Sequence, residues 1–113
     1  MEDCLFCSII KGDIPGTKIY EDEQVYAFLD INPVAPVHIL VAPKAHIANL
    51  AEIDSENSGV VAAIFEAIAK IASDQGLENG YRIVSNVGVH GCQSVDHLHF
   101  HLIGGKQLEM RMC

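Results

Sequence analysis

The chain has 113 residues, 50% of them hydrophobic and 19% charged, which leaves room for a single domain spanning 1–113 and excludes disordered and collagen-like classes. Seven Lys and Arg against fifteen Asp and Glu give a net charge of −8, which repels a phosphate backbone and argues against nucleic-acid or anionic-membrane partners. The longest apolar runs, 39–43 and 60–65, fall far short of the roughly 20 residues that span a bilayer, and the acidic start Met1-Glu2-Asp3-Cys4 has no signal-peptide pattern. A cytoplasmic location is the expectation.

The predicted elements alternate along the chain. Leu5–Lys11 reads as a short helix, stopped by Gly12 with Pro15 soon after. Residues 18–21 and 25–30 read as a hairpin around Asp22, and 37–42 as a third strand between Pro36 and Pro43. Over 55–75 the pattern changes: Val60, Val61, Ile64, Phe65, Ile68, Ile71 and Ala72 recur at three and four residues, one face of an amphipathic helix. Asp54 or Ser55 can cap its start, Glu66 and Lys70 can pair one turn apart, and Gly76 stands where the chain needs a left-handed residue. Two more strands, 81–86 and 96–104, flank a glycine-containing loop at 87–95. Strands on both sides of one long helix predict an α+β domain on a mostly antiparallel five-stranded sheet, with one long and one short helix.

Three of the six histidines alternate in His97-Leu98-His99-Phe100-His101-Leu102-Ile103. In a strand, alternate side chains share a face, so three imidazoles line one side while Leu98, Phe100 and Leu102 enter the core. An exposed face that is merely rich in histidine is the bland alternative. A single metal held by all three fails on distance, because a rise of about 3.3 Å per residue puts His97 and His101 roughly 13 Å apart, against zinc bonds of about 2 Å. At least one imidazole is left for nucleophilic or acid–base chemistry near neutral pH. No Lys or Arg lies between Arg82 and Lys106, so an anion would be bound by other donors. The loop ahead of the histidines, with Gly88, Gly91, Cys92, Gln93 and Ser94, can supply backbone N–H groups and two side-chain donors. An ordinary hairpin connection is the competing reading of that loop.

The set Asp30-Ile31-Asn32-Pro33, Pro36-Val37-His38, Ala42-Pro43-Lys44 with His46, Gln93-Ser94-Val95, the histidine row and Gly104-Gly105 resembles the histidine-triad superfamily over about residues 4–107. The resemblance is to its nucleotide-binding phosphoramidase branch. It implies hydrolysis of adenosine 5′-phosphoramidates through a nucleotidyl-histidine intermediate, with release of AMP. By the same resemblance His99 is the nucleophile, His101 and His38 the supporting relay, and Ser94 the helper of the leaving group. Asn86, Cys92, Gln93 and Ser94, with the loop amides, would surround the α-phosphate, and Asp30 would accept the ribose hydroxyls. Phe6, Ile9, Phe28 and Ile31 match positions around a purine, or are simply core. The family fold is a homodimer with one sheet continuous across both protomers.

Four cysteines without a secretory signal do not read as disulfides, and Cys4 and Cys7 have the two-residue gap of a metal knuckle, while Cys92 and Cys113 look like bystanders. The resemblance extends to a zinc-binding subset, with Cys4, Cys7, His46 and His97 as ligands of a structural zinc; the alternative is that the two cysteines are small apolar helix residues. No organic cofactor is implied. The chain departs from the family in its tail, which lacks tryptophan and proline, in Cys92 where glycine is usual, and in His90 beside the phosphate loop. Other functions compatible with the motifs are a dinucleoside polyphosphate hydrolase and a non-catalytic adenine-nucleotide-binding module.

Overall fold

The computed structural model describes residues 4–111, so the acidic start before Cys4 and the reading of Cys113 lie outside it. A short helix α1 (Leu5–Lys11) is followed by three strands, β1 (Lys18–Glu21), β2 (Val25–Leu29) and β3 (Val37–Pro43). After one 3-10 turn (Leu50–Glu52) come the long helix α2 (Gly59–Asp74), β4 (Tyr81–Val84) and β5 (Phe100–Gly104). The strands form one five-stranded sheet in the order β1-β2-β3-β5-β4, with every neighbouring pair antiparallel. The α+β class and the five strands are therefore as the sequence predicts. Among the described residues no helix is long and apolar enough to cross a membrane.

Local chemistry explains most boundaries. Gly12 takes φ 88°, its N–H bonds the Ile9 carbonyl and that of Asp13 the Ser8 carbonyl, a closure that ends α1 and needs a residue free of Cβ strain. In the β1–β2 turn the Asp22 carboxylate accepts N–H bonds from Gln24 (2.8 Å) and Val25 (2.9 Å), while Asp22 N–H donates to the Val25 carbonyl. The expected start of the long helix moves: Asp54 accepts from Glu56 and Asn57 in a separate turn, and α2 begins only at Gly59, with Ser58 making no side-chain cap. Glu66 and Lys70 do not form an ion pair among the described residues.

The pleat divides the apolar residues between two clusters. Val25, Ala27, Ile39, Val41, Phe100 and Leu102 point to one face, where Ile64, Ala67, Ile68, Ile71 and Ala72 of α2 cover them. Each such aliphatic side chain removed from water contributes about 1.5–3 kcal/mol, so this face dominates the stability. Phe65, expected on the buried face, is half exposed, although its ring still meets Phe100 edge-on at 5.3 Å. The opposite face carries Tyr26, Phe28 and Leu40, packed beneath Phe6 and Ile9 of α1. His38 and His101 lie on this second face, so α1 and the histidines share one side of the sheet.

Candidate active site

The first surprise is where the strand stops. Only His101 belongs to β5, because ladder pairing ends at Val41 opposite Phe100. Continuing the register would set Leu98 against Pro43, which has no N–H to give. Leu98 N–H instead bonds the Ile47 carbonyl at 2.6 Å. The expected strand over 96–104 is thus shortened to Phe100–Gly104, but the alternation survives it: Leu98, Phe100 and Leu102 enter the core, and the three imidazoles stay together on the α1 side. On the partner strand, the expected 81–86 ends at Val84.

Hydrogen bonds assign a tautomer to each imidazole. His99 Nδ1 lies 2.7 Å from the carbonyl of His97, which can only accept, so Nδ1 carries the proton and Nε2 keeps its lone pair. The backbone of His99 is pinned as well, its carbonyl accepting from the Ser85 hydroxyl at 2.8 Å. His99 is 4% exposed, yet among the described residues no buried side-chain nitrogen or oxygen lacks a partner, so Nε2, which has none there, opens to solvent. Burial holds the His99 imidazole below its ordinary pKa, against the pull of the His97 carbonyl and the Asp30 charge, which keeps that lone pair available at neutral pH.

A second chain of bonds sets His101. The N–H of Val34 donates to His38 Nδ1 at 3.1 Å, which puts the His38 proton on Nε2. From there it donates to His101 Nδ1 at 2.9 Å, with the Asp30 carboxylate 3.4 Å away. His101 must then carry its own proton on Nε2, on the ring next to His99 at a centroid separation of 5.2 Å. Burial, reinforced by the neighbouring His99 and His38, pushes the His101 pKa down to about 4. A bare lone pair on His99 beside an N–H on His101 is an arrangement that can attack an electrophile and hold its oxygen. Asp30, His38 and His101 also converge within 4.8 Å. With Val34 N–H occupying His38 Nδ1, however, the nitrogen facing that cluster is protonated, which makes a relay and not a ligand set.

The loop at 87–95 divides the expected phosphate donors. Gln93 turns inward: its amide donates to the Ala48 (2.7 Å) and Val95 (2.9 Å) carbonyls and accepts from Asn49 (3.2 Å) and from Gly88 N–H (2.9 Å). Its backbone N–H is taken by Gly88, so Gln93 braces the loop and has no donor left over. Asn86 is likewise engaged, donating to the Gly91 carbonyl at 2.7 Å. Ser94 is exposed, and neither its hydroxyl nor its N–H has a partner among the described residues, which leaves it the available donor. A Cβ on Gly91 would run into the Val87 backbone, so that position admits only glycine. Cys92 follows at φ 63°, the one left-handed residue other than glycine in the described chain. That conformation accounts for the departure noted above: the position favours glycine, and the thiol is tolerated because it is exposed. His90 is exposed too.

Of the residues matched to a purine site, Phe6, Ile9 and Phe28 are buried in the second cluster, whereas Ile31 is 91% exposed. Asp30 is largely covered, and one carboxylate oxygen accepts from Asn32 N–H at 2.7 Å. Sequence reasoning missed Pro43, Val34, Ile47 and Ser85, whose backbone or hydroxyl groups hold the histidines. Three act through peptide groups that every residue carries, so their types held no signal.

Cys4, Cys7, His46 and His97 meet behind His99. The His97 ring donates from Nε2 to the Pro43 carbonyl at 2.8 Å, so its Nδ1 lone pair faces the sulfurs of Cys4 (3.2 Å) and Cys7 (3.5 Å). His46 Nδ1 is 3.3 Å from the Cys7 sulfur, and all four ligand atoms lie within 4.8 Å of one another. A tetrahedral zinc separates sulfur and nitrogen ligands by about 3.6 Å, given bond lengths near 2.3 and 2.0–2.1 Å, so these side chains fit that ion with little movement. Burial and the adjoining Cys4 push the Cys7 thiol above its ordinary range, a penalty that a divalent cation relieves by holding both sulfurs as thiolates.

The chain matches the HIT domain family over residues 11–108. It is 46% identical over 106 residues to a 14 kDa zinc-binding protein of Zea mays, covering 92% of this chain and 83% of that one. To a HIT-like protein of Synechococcus elongatus it is 47% identical over 107 residues, with 95% and 94% of the two chains covered. Among solved structures, a HIT family hydrolase from Clostridium thermocellum superposes with a TM-score of 0.97 at 48% identity over 100% of this chain and 99% of that one. A histidine triad nucleotide-binding protein from Candida albicans superposes at 0.81 with 33% identity, over 98% and 86%.

Proposed function

The chain belongs to the HIT domain family, and from that premise we propose that it hydrolyses adenosine 5′-phosphoramidates and related nucleotidyl compounds through a nucleotidyl-His99 intermediate, releasing AMP. The observation that carries this reading is the free Nε2 lone pair of a His99 ring whose other nitrogen is committed to the His97 carbonyl. In the first half-reaction that lone pair forms a bond to the α-phosphorus while the phosphorus–nitrogen bond to the leaving amine breaks, the amine taking its proton with the help of the Ser94 hydroxyl. The Nε2–H of His101, directed by His38, donates to a non-bridging phosphate oxygen. Water then attacks the same phosphorus, the proton it sheds makes good the one that passed through Ser94 to the amine, AMP departs with the new hydroxyl, and the His99 lone pair is restored. Catalysis here rests on orientation and on donors fixed before the substrate arrives.

In this reading Asp30 accepts the ribose hydroxyls and Phe6, Ile9, Phe28 and Ile31 border the purine, with Asn86, Cys92 and Gln93 shaping the loop that presents Ser94. The four-ligand set Cys4, Cys7, His46 and His97 suits a structural zinc, as in the name of the Zea mays relative; four protein ligands leave no open position, so the ion would supply rigidity and no chemistry. The reading includes a cytoplasmic homodimer whose sheet continues through the free edge of β4, where Tyr81 and Ile83 are exposed. The test is steady-state AMP release from adenosine 5′-monophosphoramidate. Turnover that disappears in His99→Ala while AMP binding persists supports the reading. Full activity in that variant removes the nucleophile assignment, and absence of turnover in a folded, AMP-binding native chain replaces the enzyme by a binding module.

A further inference from the structure

Helix α1 has only seven residues, against the roughly 12–15 at which an isolated helix becomes even marginal, so its position is set by what fastens its ends. At its start Cys4 is the cap, its sulfur accepting the Cys7 N–H at 3.2 Å, and both sulfurs reach the ring nitrogens of His97 and His46. Between the two cysteines sits Phe6, which is 4% exposed. Its ring meets the His99 imidazole edge to face, at a centroid distance of 4.9 Å and an interplanar angle of 77°, and is itself wedged against Phe28 at 5.2 Å and 82°.

That contact matters because, among the described residues, His99 has a single side-chain hydrogen bond, from Nδ1 to the His97 carbonyl. One bond fixes the tautomer but lets the ring pivot about its own axis. The pivot is limited by the His101 ring on one hand and Phe6 on the other. The carbonyl that accepts the bond also belongs to His97, whose ring is one of the four donors. Two of these three restraints on the nucleophile, the carbonyl and the Phe6 wall, therefore run back to the same Cys4, Cys7, His46 and His97 cluster.

We propose that α1 is a clasp closed by a divalent metal at this cluster, and that Phe6 is a positioning residue through which occupancy of the cluster sets the attack direction of His99. The inference takes its nucleophile from the function proposed above. Misplacing a reacting group by about 1 Å can cost about a hundredfold, and loosening a residue one layer behind the chemistry typically costs 10–100-fold, so the effect belongs in kcat.

The test uses the full zinc-loaded chain labelled with 15N in histidine. In Phe6→Leu, the His99 ring signals in long-range proton–nitrogen correlation spectra at pH 7.5 should broaden, and kcat should fall about 10–100-fold, by more than any loss of AMP affinity. Stripping zinc from the native chain with a chelator should move the same His99 signals, and in Phe6→Leu that response should shrink to the part that passes through the His97 carbonyl. Native His99 linewidths in zinc-loaded Phe6→Leu overturn the proposal, since loss of the Phe6 ring current shifts the signals in any case, and so does AMP affinity falling in step with kcat, which would make Phe6 a purine wall only. If the stripped native chain unfolds, the zinc-loaded variant decides alone. A native chain that turns over no nucleotide defeats the proposed function, and the spectra still decide whether Phe6 and the metal govern the His99 ring.

Discussion

Replacing Cys92 by glycine should stabilise the protein, and the expected size follows from one dihedral angle. Cys92 is held at φ 63° because its N–H bonds the Val89 carbonyl at 3.1 Å while Gln93 N–H bonds Gly88, closing the loop over the fixed approach of Gly91 to Val87. A residue with a Cβ costs about 1–2 kcal/mol in this region, and glycine gives back about 0.5–1 kcal/mol through the greater freedom of the unfolded chain. The thiol is exposed and makes no hydrogen bond among the described residues, so little is lost with it. The net gain is then about 0.5–1 kcal/mol, which for a chain of this length raises Tm by roughly 2–6 °C. Thermal unfolding at fixed zinc concentration, with Cys92→Val as the control, measures it. Glycine should raise Tm and the β-branched residue should lower it. If glycine lowers Tm, or valine matches cysteine, the left-handed strain is not what distinguishes this loop from one with glycine there.

The proposed mechanism also predicts a pH profile. Burial lowers the pKa of His99, and that of His101 to about 4, so both rings stay neutral below the ordinary histidine range and turnover should persist as pH falls through 6.5; a half-loss there would contradict the burial argument. For stability the sign runs the same way. Between about pH 6.5 and 4 the unfolded chain binds a proton at this position that the folded chain refuses, so the contribution of His101 is complete above pH 6.5 and is lost as pH falls through that window. Denaturant titrations at several pH values read it, and a midpoint flat from pH 7 to 4 would refute it. Metal at the Cys4 cluster should add about 2.7 kcal/mol when zinc is a hundredfold above its Kd, seen as a fall in Tm on chelation that Cys7→Ser no longer shows. A native chain whose Tm ignores both zinc and chelator would leave the four side chains as an unmetallated cluster.

Much of this architecture was legible residue by residue. Period-two alternation placed Leu98, Phe100 and Leu102 in the core and the histidines opposite them, period 3.6 announced α2, and Asp22 and Gly12 marked their turns, because each of these signals is local to the backbone that carries it. The convergence of Cys4, Cys7, His46 and His97 was legible through motif resemblance, since thiols and imidazoles are rare enough for their spacing to carry information. What only the tertiary structure decided were matters of partnership. Where β5 stops depends on Pro43 of another strand, so the sequence alone extended it by four residues. Gln93 reads as a phosphate donor from its position, yet its amide is spent on Ala48, Asn49, Gly88 and Val95, and a side chain with two useful ends is assigned by whichever groups surround it. The protonation of His99, His38 and His101 was the least legible of all. It is written by the carbonyl of His97 and the N–H of Val34, groups common to nearly every residue, which become specific only when folding brings them within hydrogen-bonding distance of an imidazole.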